Sequence, residues 1–373
     1  MSIIPLPRHP DRTNILAPLS YDRRDEPPPG RRLARVIAEI ERCIEQGWHS
    51  GAQIYASVDG DVWADLAIDE ARPAVQMTTS TIVEWASATK PITCVAAGIL
   101  WQRGLLDLDH PVHRHLPEFA AAGKTAVTVR HLLTHTAGLT STVTDIAPAR
   151  DLVADICAAP LAPGWVPGER CAYNSVAMWI VAELVSRIDG RPFDLFVRQE
   201  IFEPAGMDES WIGMPLETYR AVQNRIAIIP GSARSGTEEW VTWGRPTGGG
   251  HGPIAQLGRF YQALLDGRIL IATTLAAMSS RQLTNVYDEY LGATVDRGLG
   301  FALGSSNPAH GYGDHASPRA FGHGGRTWSV AFADPAHDLA AAVYWNGAAD
   351  PATHTQRLPS LLNALYLDLE IAG

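Results

Sequence analysis

Strand-like sequence near both ends of this 373-residue chain, with helical periodicity filling the middle, constrains the fold more than any other feature. "RRLARVIAEIERCIEQGW" (31–48) sets Leu33, Val36, Ile37, Ile40 and Ile44 at a helical period. "GAQIYASVDGDVWADLAI" follows and predicts a hairpin around Asp59-Gly60, a two-residue turn that favours positive φ. From about residue 87 to 270 helices dominate, in "PITCVAAGILWQRGLL", "VRHLLTH", "SVAMWIVAELVSRIDG" and "IAQLGRFYQALLDG". Strands return in "LGFALG", "FGHGGRTWSVAFAD" and "LAAAVYWNG", with "DPAHD" (334–338) as a hairpin turn. Such an order implies an α/β layer closed by both ends of the chain and a helical lobe inserted into it. The expected division is 31–85 with 290–373 as the α/β domain and 86–289 as the mainly helical one, with the active site at their interface. Residues 1–30, rich in proline and arginine, are expected to form an N-terminal extension that wraps a surface.

Composition narrows the functional classes. Hydrophobic residues at 46% and charged residues at 19% belong to a soluble globular protein. A net charge of −10 argues against nucleic acid or an anionic membrane as partner, since both call for a basic face. No apolar run approaches the ~18 residues of a membrane span, and the N-terminus carries no apolar signal core, so a cytoplasmic location is expected. Four scattered cysteines, none in a C-x-x-C pair, read as buried thiols, not as a disulfide or zinc framework. "HRH" (113–115) is followed by proline at 117 where a metallo-hydrolase needs aspartate, and the other histidines show no metal-ligand spacing. No metal and no cofactor are expected.

Lysine is nearly absent. Of 30 basic side chains only Lys90 and Lys124 are lysines, and Lys90 stands three residues after Ser87 in "EWASATKPIT". On a helix, positions i and i+3 share a face with Cβ atoms about 5–6 Å apart, within reach of a side-chain hydrogen bond. Pro91 is tolerated there because the first turn's N–H groups lack intrahelical partners. A serine at a helix N-terminus presents backbone N–H groups to a developing oxyanion. Lysine, unlike arginine, can lose its proton when desolvated and act as a base. The bland alternative is an ordinary capping serine with a lysine nearby.

Two further stretches bear on this one. In "PGWVPGERCAYNSVAMWIVAELV" (163–185), Tyr173 lies in a turn-rich approach to a helix that is expected to begin near Ser175, a plausible cap. A tyrosine so placed could share a proton with Ser87. In "FGHGGRTWSVAFADP" (321–335), Gly322, Gly324 and Gly325 surround His323 in what reads as one strand, and strand glycines mark close approach of a backbone or ligand. The N–H of Arg326 is the expected second oxyanion donor. Trp85, Trp165, Trp240, Trp243 and Trp328 lie near these motifs and either line an acyl or aromatic pocket or belong to the core.

In this order the three motifs resemble the serine β-lactamase and penicillin-binding superfamily, and more closely its class C-like branch of esterases, D-amino-peptidases and acyltransferases. Ser87-Ala-Thr-Lys90, Tyr173-Asn-Ser175 and His323-Gly-Gly325 match the three motifs. "LLDLDHPVHRHLPEF", "TVRHLLTHTAGL", "IFEPAGMDES" and "GGGHGPIAQLGRFYQALLDG" are similar to that branch's connecting segments. The resemblance implies an α/β fold of α+β type: an antiparallel sheet flanked by helices, formed by both chain ends, with an inserted mostly helical domain. It implies Ser87 as the nucleophile, Lys90 and Tyr173 as the proton-transfer pair, and the N–H groups of Ser87 and Arg326 as the oxyanion hole. Asn174, Ser175, His323, Gly324, Gly325, Trp85, Trp243 and Trp328 are the expected substrate-binding residues. The partners implied are a small-molecule acyl donor and water or an amine or alcohol acceptor, in a monomer or weak homo-oligomer. Tailoring of a secondary metabolite fits such chemistry.

Two departures matter. The second motif has Ser175 where lactamases carry asparagine, with Asn174 one place early, and the third has His323 where Lys-Thr-Gly would supply a cation. Both demote β-lactam hydrolysis relative to an esterase or acyltransferase, and a β-lactamase/D-aminopeptidase-type hydrolase is the alternative reading. A non-catalytic ligand-binding member of the fold is a third reading, disfavoured because a binding module has no use for Ser, Lys and Tyr together.

Overall fold

Strand segments buried along their whole length, on both faces, build one wide sheet with a core on each side. A computed structural model describes residues 33–140, 151–304, 311–326 and 328–372; the expected extension over 1–30 lies outside them. Helix α1 (Ala34–Glu45) leads into strands β1 (Gly51–Val58) and β2 (Asp61–Arg72). Asp59 and Gly60 turn between these strands at φ 52° and 81°, as the Asp-Gly pair predicts. Short strands β3 (Val75–Gln76) and β4 (Val83–Glu84) follow, then a 3-10 turn over Ala86–Thr89 and helix α2 (Lys90–Gln102). The helical region includes Val129–Leu133 and α3 (Ala177–Asp189), strands β5 (Trp211–Ile212) and β6 (Gly250–Gly252), and α4 (Ile254–Leu265). Then come β7 (Leu283–Asp288), β8 (Ala293–Arg297), β9 (Ala302–Leu303), β10 (Phe321–Gly325), β11 (Ser329–Asp334), β12 (Leu339–Trp345) and α5 (Pro351–Asp368).

Among the described residues nine strands form the main sheet in the order β3-β2-β1-β12-β11-β10-β9-β8-β7, with antiparallel pairing throughout. The join between the two ends of the sequence is β1 on β12, in register from Ala52 opposite Trp345 to Val58 opposite Leu339. Period-two alternation sorts these strands' side chains between the two cores. Ala52, Ile54, Ala56, Leu339, Ala341, Val343 and Trp345 meet one face of α1 and α5, where Val36, Ile40, Leu358 and Leu362 are buried. Tyr55, Ala340, Ala342 and Tyr344 face the opposite core, which holds α2, α3 and α4. Helix α4 crosses this face closely. A Cβ on Gly258 would come within 2.1 Å of the Tyr55 ring, so only glycine admits that tyrosine.

Three details differ from the sequence expectation. The sheet's second half begins at Leu283, seven residues before the expected boundary at 290. Strand β4 pairs not with the main sheet but with β6, in a second sheet of order β4-β6-β5. Residues 321–334 are not one strand but the paired strands β10 and β11, with Arg326 after the first at φ 49°. All four cysteines are free and buried. Among the described residues no helix is long and apolar enough to cross a membrane.

Candidate active site

The Ser87 turn is held from both sheets at once. Trp85 N–H donates to Gly250 O at 2.9 Å, and Gly250 N–H donates to Thr89 Oγ1 at 3.0 Å. From the main sheet, Ser329 Oγ donates to Trp85 O at 2.7 Å. These contacts over-determine Ala86, which sits at φ 47°, a left-handed conformation that costs a non-glycine residue about 1–3 kcal/mol. Glycines make the approach possible. A Cβ on Gly325 would lie 2.2 Å from Trp85 O and 2.1 Å from Ser329 Oγ, and one on Gly250 would lie 2.5 Å from the Trp85 ring.

Lys90, 1% exposed, donates from Nζ to Ser87 Oγ at 2.9 Å and to Thr247 O at 2.8 Å. The i to i+3 spacing therefore does what helical geometry allows: it puts an amine on the serine hydroxyl. Ser87 itself is half-buried and faces a cleft of about 530 Å³ lined also by Tyr173, Ser175, Tyr290, Arg297, His323, Gly324 and Arg326.

Tyr173 is fixed through its backbone. Its N–H donates to both oxygens of Asp288 at 3.0 and 3.1 Å, and Asp288 in turn pairs with Arg297 Nη2 at 2.7 Å. Burial opposes ionisation of Asp288, but Arg297 and the N–H groups of Tyr173 and Leu291 outweigh it and hold the carboxyl below its ordinary range. Lys90 Nζ lies 4.9 Å and Arg297 Cζ 5.6 Å from the Tyr173 ring centre. The His135 and His323 rings lie 4.8 and 5.8 Å away. The Tyr173 hydroxyl is buried with no hydrogen-bond partner among the described residues, so its expected pairing with Lys90 is one of proximity and not of a hydrogen bond.

The neighbouring histidines are oriented by backbone groups. His135 Nδ1 accepts from Asn174 N–H at 3.2 Å. Burial, then the charges of Arg297 and Lys90, hold His135 neutral, far below the usual imidazole range. His323 Nδ1 lies 2.6 Å from Gly324 O, a carbonyl that can only accept, which assigns the proton to Nδ1. Among the described residues no group of three or more His, Cys, Asp and Glu side chains converges to hold a metal ion.

Other expected site residues lie elsewhere. Trp85 is fully buried, edge-on to Phe202 at 6.5 Å with Nε1 on Gly252 O at 3.1 Å, so it belongs to the core and not to the cleft. Its position two residues before Ser87 turns it to the opposite side. Trp243 packs on Trp179 and Trp240, each at 5.9 Å, away from the cleft lining, and Trp328 is buried beneath the Arg326 guanidinium at 5.4 Å. Asn174 does not line the cleft either: its amide donates to Leu139 O while its Oδ1 accepts from Val176 N–H at 2.8 Å. The cap expected from Ser175 is not made: α3 starts at Ala177 with no side-chain cap. Asp288, Arg297, Tyr290 and His135 were not anticipated. Only His135 carried a signal, inside the "TVRHLLTHTAGL" segment.

A family model described as Beta-lactamase matches residues 37–366, a stretch that takes in all three motifs and both halves of the sheet. The chain belongs to the β-lactamase family. Within it, a penicillin-binding protein of Bacillus subtilis is 28% identical over 271 residues, 64% of this chain and 55% of that protein. Esterase EstB of Burkholderia gladioli is 34% identical over 200 residues, 48% of this chain and 46% of that one. The match thus spans about half the length of each. Among solved structures, a penicillin-binding protein homologue from Caulobacter crescentus superposes with a TM-score of 0.78 at 28% identity, covering 91% of this chain and 98% of that one. The antiparallel sheet flanked by helices, expected from the resemblance, is therefore the fold of this family member.

Proposed function

We propose that this protein is a serine acyl-enzyme catalyst acting on an ester, thioester or amide of a small metabolite, as an esterase or acyltransferase. The observation that carries the reading is the buried Lys90 Nζ bonded to Ser87 Oγ at 2.9 Å, at the wall of a cleft that Tyr173 also lines. Ser87 Oγ attacks the acyl carbon while its proton passes to the Tyr173 oxygen, with Lys90 orienting the hydroxyl. The carbonyl oxygen, now an oxyanion, accepts from the N–H groups of Ser87 and Arg326. As the bond to the leaving group breaks, the leaving group takes the proton from Tyr173 and the acyl group stays on Ser87. Water, or an amine or alcohol, then attacks the acyl-enzyme, gives its proton to Tyr173, and the proton returns to Ser87 Oγ as the product departs.

The likeness to an esterase supports the ester branch. His323 at the third motif and the inward fold of the Asn174 amide speak against a β-lactam substrate, whose carboxylate and side chain would want a cation and a free carboxamide there. A fluorophosphonate probe is expected to label the wild type to one equivalent and to leave Ser87→Ala unlabelled. Equal labelling of both would sink the nucleophile assignment. Offering the acyl-enzyme water and amines together, and measuring the product ratio, separates hydrolase from transferase.

A further inference from the structure

We propose that Tyr290 is a specificity-determining residue that selects an aromatic group on the alcohol or amine side of the scissile bond. The substrate class is then an aryl or arylalkyl ester or amide. This deepens the acyl-Ser87 reading and rests on it. Among the described residues Tyr290 is the most exposed of the large hydrophobic side chains, at 72%, and it lies on the cleft that holds Ser87. A single exposed aromatic is ordinary on a protein surface. What sets this one apart is how firmly its backbone is held, and to what.

Residues 289–292 form the turn between β7 and β8, closed by Gly292 N–H on Asp288 O at 2.9 Å. The Asp288 side chain accepts the N–H groups of Tyr290 and Leu291, each at 3.1 Å. Glu289 N–H donates to Cys171 O at 2.9 Å, and its carboxylate takes both prongs of Arg170 at 2.6 and 2.7 Å. The same Asp288 carboxylate accepts the Tyr173 N–H, so one buried group fixes the backbones of both tyrosines. Their ring centres lie 5.9 Å apart, with the planes inclined by 39°. Turn tips favour Gly, Asn, Asp and Ser, so Tyr290 and Leu291 in the middle of this one answer to the cleft they line and not to the turn.

The chemistry at Ser87 assigns the side. With the carbonyl oxygen in the hole and Ser87 Oγ bonded to the acyl carbon, two substituents remain, the acyl chain and the leaving group. Tyr173 gives its proton to the leaving atom, which therefore stands within about 3 Å of the tyrosine oxygen, and the acyl chain points away from it. A ring carried by the leaving atom extends past Tyr173 to Tyr290, where stacking or edge-on contact works at centre separations of roughly 4.5–7 Å. In the second half of the reaction the acceptor occupies the same place, so the same preference applies to it.

Two matched pairs of esters test this. Benzyl acetate and cyclohexylmethyl acetate share one skeleton on the alcohol side, with a flat aromatic ring in the first and a puckered ring in the second. Ethyl phenylacetate and ethyl cyclohexylacetate put the same two rings on the acyl side. Wild-type kcat/KM is expected to favour benzyl acetate over its cyclohexyl counterpart by about 3- to 10-fold, the worth of one aromatic contact. Tyr290→Phe is expected to keep that ratio, and Tyr290→Leu and Tyr290→Ala to lose most of it. The acyl-side ratio is expected to stay constant across all four proteins. An alcohol-side ratio that survives in Tyr290→Ala, or that falls together with the acyl-side ratio, overturns the proposal. Should Tyr290→Ala fail to fold, an equal ratio in Tyr290→Leu and Tyr290→Phe overturns it instead. Esterolysis absent from wild type, or equal in wild type and Ser87→Ala, removes the acyl-Ser87 reading as well. Ser87-dependent turnover with no aromatic preference on the alcohol side removes this inference alone.

Discussion

Gly325→Ala tests whether β10 must touch the Ser87 turn for acylation to occur. The added Cβ would start 2.2 Å from Trp85 O, 2.1 Å from Ser329 Oγ and 3.3 Å from Ala86 Cβ. Two of these neighbours are the ends of one hydrogen bond, Ser329 Oγ to Trp85 O, so neither can yield without breaking the tie between the main sheet and the turn. Relief to ordinary contact moves β10 by about 1 Å, a misplacement that typically costs on the order of a hundredfold in rate. The N–H of Arg326, the next residue, moves with it, and loss of one oxyanion donor costs about 3–4 kcal/mol. Acylation by an activated ester, read as the burst of released alcohol, is therefore expected to slow by about 10²–10³-fold with a smaller change in KM. Overpacking is expected to lower stability by about 1–3 kcal/mol, measured by urea unfolding. Gly244→Ala is the control, since a Cβ there meets only Ile212 O at 3.5 Å and Gly213 Cα at 3.9 Å. Near wild-type acylation in folded Gly325→Ala would refute the reasoning.

Lys90→Arg is expected to lower acylation by at least about a thousandfold, because the larger planar fork cannot fit between Ser87 Oγ and Thr247 O in a 1%-exposed site and so cannot orient the hydroxyl; single-turnover labelling checks it. The buried histidines set an acid limit on the fold. Burial depresses His251 to about 4 and His49 to about 3, and His135 is depressed further than the usual range by the same cause. The unfolded chain therefore binds more protons below pH ~6.5, so stability is full above that value and is lost as pH falls toward the folded values. His251→Gln is expected to flatten the fall between pH 6.5 and 4 by roughly 3 kcal/mol, read from urea unfolding at stepped pH, and an unchanged slope would contradict it.

The contact of Lys90 with Ser87 was legible because a helical turn makes i and i+3 neighbours whatever surrounds them, and Tyr173 lies on the same cleft as Ser87. The Asp59-Gly60 hairpin was legible for a similar reason: two consecutive positive φ values leave few residues to choose from. Trp85 was misplaced because nearness in sequence says nothing of direction, and two residues around a tight turn send it into the core instead of the cleft. The β10–β11 turn escaped notice because Arg326 adopts φ 49° without the Gly or Asn that usually marks such a position. Arg297 and Asp288 could not be found, since their meaning comes from Tyr173, more than a hundred positions away in sequence. Strand β7 lies at the sheet's edge, where "LTNVYD" alternates too weakly to announce itself.

The bond from Ser329 to Trp85 spans 244 positions of sequence. Loop closure over so long a span comes late in folding, after the local helices have formed. On a ribosome, the serine and its lysine emerge long before the strand that clasps their turn. Until then the turn has only its ties to β6, and Ala86 lacks the third contact that holds its left-handed conformation. Nascent chains ending before β11 are therefore expected to carry a chemically ordinary serine. Reactivity would appear abruptly as the last strands dock, so that the onset of labelling during synthesis is a clock for completion of the sheet.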